Sequence, residues 1–293
     1  MKIGFFGVNT GIYSDPECSA RIACAAEEAG YESVFSCEHV VLVDPRQAPS
    51  PLPPHSRQLD QAVTLAFMAA HTRRLRLGTG IVILPQRNPV ILAKALASLD
   101  VLSAGRLLVG VGVGYVQGEF DAIGVPFEER GPRTSEHIEA MRALWTQEEP
   151  SFQGRFSAFS GIQSLPRPVQ SPHPPILVGG FSKPALRRAV AQGNGWFGFN
   201  ADLEATATAM RGLDAAAREV DRPAALGPLE ISVTPPPGDV DLDRLRAYED
   251  LGVARIVVMR SARDMVGEPE IGGEKLADAI EFLQRTAETL RLG

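Results

Sequence analysis

Short apolar runs alternate with helical segments along the chain, and this alternation limits the fold more than any other feature. The runs "KIGFFGV" (2–8) and "ESVFSC" (32–37) are typical of strands, and the helix between them begins at Asp15-Pro16 and ends at Gly30. The same order continues to a final helix at 273–291, with strands at 75–84, 106–113, 175–180, 195–199, 228–234 and 255–259. Eight strands alternating with eight helices over 293 residues predict an α/β protein, a (β/α)8 TIM barrel.

Two proline-rich segments interrupt the alternation. Residues 44–58 follow the second strand and therefore leave the face of the barrel where catalytic loops lie, so we expect them to form a lid. Residues 148–174 contain a hairpin-like stretch, "SFQGRFSAF", but they precede a strand and are expected to pack at the opposite face. We expect residues 1–293 to form one domain that carries both insertions.

Charge and composition exclude several classes of partner. Lys and Arg number 29 against 35 Asp and Glu, and this net charge of −6 gives no reason to expect nucleic acid or an anionic membrane as partner. No apolar run reaches the length of a membrane span, so we expect a cytoplasmic protein. Three cysteines, Cys18, Cys24 and Cys37, predict neither a disulfide framework nor a metal site.

Glycines cluster in "GRLLVGVGVGYVQGEF" (105–120), after a predicted buried strand. A dinucleotide-binding turn is disfavoured, because the spacing from Gly112 is Gly-x-Gly-x-x-x-Gly and no long amphipathic helix follows. We therefore interpret Gly112 and Gly114 as positions where a flat ligand lies across the strand ends. Gly78 and Gly80 in the third strand indicate either a bulge beside such a ring or a close packing contact.

Two other predicted strand ends carry residues suited to chemistry. His39 is the histidine predicted to lie at the mouth, next to Glu38, where an imidazole can act as acid, base or anion anchor. The other four histidines are expected in loops or on helix surfaces, in structural roles. "GGFS" (179–182) precedes a helix and is either a phosphate-binding turn or a simple N-cap.

Four ordered blocks of the sequence resemble one known family. They are "AAEEAGYESVFSCEH", "LRLGTGIVILPQRNPVILAKALASLDVLSAGRLLVGVGVG", "EFDAIGVPFEERGPRTSEHIEAMRALW" and "PPILVGGFSKPALRRAVAQGNGWF". Together they resemble the luciferase-like monooxygenase superfamily, in particular its branch of oxidoreductases that depend on the deazaflavin coenzyme F420. The resemblance covers residues 1–200 well and the remainder thinly.

The resemblance implies a barrel mouth that binds a flavin or deazaflavin. Glu38 and His39 would lie near the ring, and Gly80-Ile81 would form a supporting bulge with a non-prolyl cis peptide. The resemblance also assigns cofactor contacts to Gly112, Gly114, Gly179, Gly180, Phe181 and Ser182. Tyr115 stands where sugar-phosphate dehydrogenases of this superfamily have a catalytic Glu, which argues against a sugar phosphate as substrate; it could bond to or stack on the ligand.

Three functional hypotheses follow. The first is an F420-dependent oxidoreductase that transfers a hydride between the cofactor and a small organic substrate, with His39 handling the proton. The alternative is an FMN-dependent luciferase-like monooxygenase, and a weaker third is a flavin-binding protein without catalysis. The family resemblance also suggests a homodimer, for which "DQAVTLAFMAA" (60–70) offers an apolar helical face.

Overall fold

Parallel strands pair side by side around a closed ring, which confirms the predicted TIM barrel. The computed structural model describes residues 1–260 and 273–292. The strands are β1 (Lys2–Phe6), β2 (Ser33–Ser36), β3 (Arg76–Thr79), β4 (Val82–Ile83), β5 (Leu107–Gly112), β6 (Phe152–Gln153), β7 (Ala158–Phe159), β8 (Ile176–Gly179), β9 (Gly195–Phe199), β10 (Glu230–Thr234) and β11 (Arg255–Val258). The barrel order runs β3-β2-β1-β11-β10-β9-β8-β5-β4, and an additional β3–β5 pairing closes the ring.

Helices cover the outside of the barrel, and local capping explains where several of them begin. The side chains of Asp15 and Asn88 each accept two backbone N–H bonds, and a proline follows each of them at the first helical position. None of the helices in the described ranges is both long and apolar enough to cross a lipid bilayer. They are α1 (Pro16–Glu28), α2 (Gln61–His71), α3 (Pro89–Leu102), α4 (Gln117–Ile123), α5 (Arg130–Thr146), α6 (Lys183–Gln192), α7 (Leu203–Glu219), α8 (Leu242–Asp250) and α9 (Gly273–Leu290).

Aromatic and aliphatic side chains fill the barrel interior. Phe35 and Phe197 lie with ring centroids 5.2 Å apart, and Phe6 and Phe199 lie 4.9 Å apart. The interior is therefore a packed core below the mouth. Its buried members are Phe6, Phe35, Leu108, Leu177, Phe197, Val257 and Met259.

A buried ion-pair network closes the amino-terminal end of the barrel. Arg255 is fully buried and donates to Glu32 at 2.9 Å and to Glu230 at 2.5 Å. Burial by itself raises the pKa of both carboxyl groups. The bonds and charge of Arg255, joined at Glu230 by those of Lys2, outweigh burial and leave both pKa values below the ordinary one. Because charged side chains occupy this end, we expect ligands to bind at the carboxyl ends of the strands.

Neighbouring segments of the chain occupy the space beside the interior glycines. A Cβ at Gly110 would overlap the Thr79 carbonyl oxygen, and one at Gly112 would overlap the Ile81 side chain. A Cβ at Gly114, whose φ is +74°, would lie 2.6 Å from Ile83. Neighbouring residues of the chain, Thr79, Ile81 and Ile83, thus occupy the space beside these glycines, and the contact with a flat ligand that we inferred for Gly112 and Gly114 stays a prediction.

The predicted third strand is interrupted between β3 and β4. The peptide bond between Gly80 and Ile81 is cis, as the family resemblance implied. A Cβ at Gly80 would contact Phe6 at 3.0 Å and the Ser36 carbonyl oxygen at 3.2 Å. The structure therefore shows the close packing contact at Gly80 and a break in the strand there, and the ring beside it stays a prediction.

Each proline-rich segment is bound to the barrel through specific contacts. Residues 44–58 lead from β2 to α2 beside the mouth, and Gln58 forms a bridge with Thr10 in the loop after β1. Residues 148–174 carry the predicted hairpin, β6–β7. The Glu136 carboxylate of α5 accepts N–H bonds from the hairpin turn, and Arg155 reaches Glu129 just before α5. The hairpin therefore extends along α5 rather than staying at the opposite face.

Candidate active site

The candidate site lies at the carboxyl ends of the barrel strands. His39 follows β2 and Tyr115 follows β5, and the two rings meet edge to face with centroids 6.1 Å apart. Burial, followed by the charge of Glu119, raises the pKa of Tyr115 to about 12, so its hydroxyl stays protonated at neutral pH. The structure thus brings together two of the predicted site residues, 76 positions apart in the chain.

Glu119 fixes the orientation of His39. His39 Nδ1 lies 2.5 Å from Glu119 Oε1, and both side chains are almost completely buried. Gln86 Nε2 donates to the other oxygen, Glu119 Oε2, at 3.3 Å. Because Nδ1 is engaged by the carboxylate, Nε2 is the ring nitrogen left to exchange a proton with a ligand.

The sequence interpretation missed Glu119. The feature that could have identified Glu119 is its position in the first turn of a short helix, directly before the fully buried Phe120. A glutamate is almost never fully buried unless it has a partner, so this position pointed to a cation or donor elsewhere in the fold. Nothing local in the sequence identified that partner as His39.

Glu38 is engaged by the chain on both carboxylate oxygens. One accepts from the Ile83 N–H at 2.5 Å, and the other pairs with Arg87, which also reaches Asp60 at 3.0 Å. Burial raises the pKa of Glu38, while the charge and hydrogen bond of Arg87 oppose that effect. Glu38 therefore ties the end of β4 to the end of β2.

A second part of the mouth lies after β8, where the sequence suggested a phosphate. Gly180 has φ +113°, which favours glycine, and the Ser182 side chain caps α6 at Ala185 N. The Gly180 carbonyl accepts from Trp196 Nε1 at 2.8 Å, which orients this turn. The N–H groups of the first helical turn lack carbonyl partners within the helix, and the helix dipole adds positive potential there.

The rim carries large apolar side chains that remain exposed. Each of them is about two-fifths to one-half exposed and lies at the end of a barrel strand or in the loop after it. Exposed apolar groups that surround a concave mouth are typical of a site for an organic ligand. They are Val40, Val41, Tyr115, Phe181 and Phe199.

The donor set fits a flavin or deazaflavin. The apolar rim suits a planar ring, and the turn at 179–182 with the α6 amino terminus suits its phosphate. The fit depends on both the apolar rim and the turn at 179–182, because neither alone is specific for such a cofactor.

Cys37 and two of the remaining histidines have structural surroundings. Burial raises the pKa of the Cys37 thiol to about 12, so this cysteine stays protonated and unreactive. His137 and His173 are buried, contrary to the expected surface positions, and each ring faces a backbone carbonyl oxygen. Burial lowers the pKa of both rings, which supports structural roles for them.

The family model for luciferase-like monooxygenases matches residues 6–261. The chain belongs to this family. It is therefore an oxidoreductase or monooxygenase of the luciferase-like type. The family match agrees with the barrel and with the mouth at its carboxyl end.

Among the proteins similar to this chain, those whose names state a cofactor do not all state the same one. The FMNH(2)-dependent dimethylsulfone monooxygenase of Pseudomonas putida is 37% identical over 141 residues, which cover 47% of this chain and 38% of that protein. The monooxygenase RslO1 from Streptomyces bottropensis is 26% identical with a TM-score of 0.68, covering 100% of this chain and 97% of the other. An F420-dependent secondary alcohol dehydrogenase, 15% identical, covers 99% of both chains with a TM-score of 0.78 and shows the shared fold.

Proposed function

We propose that this luciferase-like protein is an F420-dependent oxidoreductase that transfers a hydride between the deazaflavin and a small organic substrate. The observation that carries the proposal is the buried His39–Glu119 pair at the mouth. Hydride transfer to or from an alcohol carbon needs a group that takes or returns the hydroxyl proton, and a histidine with one nitrogen free is suited to that task.

The cofactor would be held at both parts of the mouth. Its phosphate would accept N–H bonds from the turn Gly179–Ser182 at the start of α6. Its ring would lie against Gly80-Ile81 and the apolar rim, and the bound deazaflavin would supply the two-electron hydride chemistry. The cofactor contacts that we propose are Glu38, Gly80, Ile81, Gly112, Gly114, Tyr115, Gly179, Gly180, Phe181 and Ser182.

His39 would move the proton. In the neutral ring Nδ1–H donates to Glu119, so Nε2 carries a lone pair that accepts the proton of a substrate hydroxyl. The positive charge that develops on the ring is then stabilised by the buried carboxylate. In the reverse direction, Nε2–H returns the proton to the carbonyl oxygen.

The lid and the quaternary structure complete the proposal. Residues 44–58 lie beside the mouth, where closure would exclude water from the site.

Val63 and Ile91 are about 70% exposed, and Phe67 is 40% exposed, on the packed helices α2 and α3. Covering this apolar face in a homodimer would remove it from water.

An FMN-dependent monooxygenase is the second candidate. The 37% identity to the FMNH(2)-dependent relative, over nearly half of this chain, favours it. A monooxygenase needs reduced flavin and dioxygen, whereas an F420-dependent dehydrogenase turns over without oxygen. The two proposals therefore differ in a measurable requirement.

Cofactor identity and oxygen dependence test the two candidates. The purified full-length protein is offered F420 and FMN, the retained cofactor is identified by mass and absorbance, and turnover is followed with a panel of small secondary alcohols. We expect stoichiometric F420 retention and anaerobic reduction of F420. His39→Ala should bind F420 but fail to reduce it, whereas the exposed control His71→Ala should behave as the wild type. Stoichiometric FMN retention with substrate-dependent oxygen uptake would refute the first candidate.

A further inference from the structure

Past the carboxyl end of β2, two side-chain amides continue the backbone pairing of the strand. β1 pairs with β2 as far as Phe35. Beyond it, Asn9 Oδ1 accepts from the Cys37 N–H and Asn9 Nδ2 donates to the Cys37 carbonyl oxygen, both at 2.9 Å. Gln58 Nε2 donates to the same carbonyl oxygen at 2.9 Å, and Gln58 Oε1 accepts from the His39 N–H at 3.0 Å. Side chains therefore hold the main chain as far as His39.

The Gln58 amide takes the place of a residue in a neighbouring parallel strand. Such a residue bonds to one C=O and to the N–H two positions further along the chain. Gln58 makes this pair of bonds with Cys37 and His39. The contact needs a donor and an acceptor on one side chain, and a primary amide supplies both. A carboxylate at position 58 would provide no donor for the Cys37 carbonyl oxygen.

Gln58 is itself held by the loop that follows β1. The Leu59 N–H donates to the Asn9 carbonyl oxygen at 3.0 Å, and the Gly11 N–H donates to the Arg57 carbonyl oxygen at 3.1 Å. Asn9 is fully buried, and its Nδ2 also donates to the Leu59 carbonyl oxygen at 2.8 Å. The residues on either side of Gln58 are thus bound to the barrel, so its side chain offers His39 a fixed partner.

We propose that Gln58 is a positioning residue that holds the His39 main chain for proton transfer. Glu119 holds the imidazole at Nδ1, and Gln58 holds the backbone from which that side chain extends. The two contacts together determine where Nε2 lies in the mouth. The proposal rests on the proposed function, because Nε2 is the atom that exchanges the substrate proton there. Displacing a reacting group by about 1 Å can lower a rate about 100-fold, so Gln58 affects turnover through the position of His39.

NMR of the cofactor-free full-length protein tests the contact directly. The chain has five histidines, so labelling them with nitrogen-15 shows the backbone amide and the ring nitrogens of His39 in one sample. The signals that disappear in His39→Ala assign them. We expect the wild-type His39 amide hydrogen to exchange with solvent at least about 100-fold more slowly than an unprotected amide. Unprotected exchange would overturn the proposal without any variant at position 58.

Gln58→Met keeps an unbranched side chain of similar length and removes both hydrogen-bonding groups. We expect the His39 amide to exchange at least about tenfold faster, the Nδ1–H signal to shift, and kcat to fall about tenfold with KM unchanged. The matched control Gln153→Met, at an exposed position on the outer hairpin, should change none of these.

The two kinds of readout separate this proposal from the proposed function. Exchange and ring signals need neither cofactor nor substrate, so they report on Gln58 even if the wild type fails to reduce F420. Wild-type His39 signals in folded Gln58→Met would overturn the positioning role. A wild-type kcat in that variant, with whichever cofactor the enzyme uses, would overturn it as well.

Discussion

Replacing Glu119 with Gln tests the part of the mechanism that the structure defines best. The substitution keeps the size of the side chain and removes its charge, and the amide oxygen can still accept from His39 Nδ1. Gln86 Oε1, which has no partner among the described residues, can accept from the new amide N–H. We therefore expect Glu119→Gln to lower the free energy of unfolding by less than about 1 kcal/mol.

We expect Glu119→Gln to lower the catalytic rate instead. Glu119 is fully buried, so water cannot replace its charge, and a hydrogen bond between charged partners contributes about 2–3 kcal/mol. If this stabilisation is present only in the transition state, where His39 carries the substrate proton, then losing it lowers kcat about 30- to 150-fold.

Single-turnover reduction of F420 by an alcohol that the wild type oxidises measures this rate, and a titration measures the Kd of the cofactor. We expect the rate to fall while the Kd stays the same, and the exposed control Glu128→Gln to change neither. Nitrogen NMR of labelled histidine adds a readout that needs no substrate, because the neutral His39 ring should carry its proton on Nδ1 in the wild type. A wild-type rate in folded Glu119→Gln would refute the reasoning.

Two further predictions concern the fold. Gly110→Ala places a Cβ against the rigid carbonyl of Thr79 and should lower the free energy of unfolding by about 3 kcal/mol in urea denaturation, whereas Gly131→Ala in α5 meets no close atom and should cost nothing; equal midpoints would contradict the packing argument. Because Arg255 holds the pKa of Glu32 below its unfolded value, the pair contributes stability above about pH 4.3, and that contribution is lost as the pH falls through the folded pKa. Urea midpoints from pH 7 to 3.5 should therefore fall less steeply for Glu32→Gln, and a parallel decline would exclude this pair as the cause.

Local sequence signals predicted most of the architecture. The strands at 2–8 and 255–259 are found as β1 and β11, because each is a short apolar run bounded by turns. Helix starts at Asp15 and Asn88 were visible because a capping side chain and the following proline lie next to each other in the chain. The position of His39 at the mouth followed from topology, since all the carboxyl ends of parallel barrel strands face one side.

Contacts between distant segments were decided only by the closed barrel. The sequence shows that Gly112 lacks a Cβ, but only the packing of β5 against the neighbouring strand shows that Ile81 takes the space. In the same way, His39 and Glu119 are 80 positions apart, and no local pattern joins them. Periodicity and capping act over a few residues and so can be predicted from the sequence, whereas the pairing that orients the His39 imidazole depends on ring closure, which brings α4 beside the end of β2.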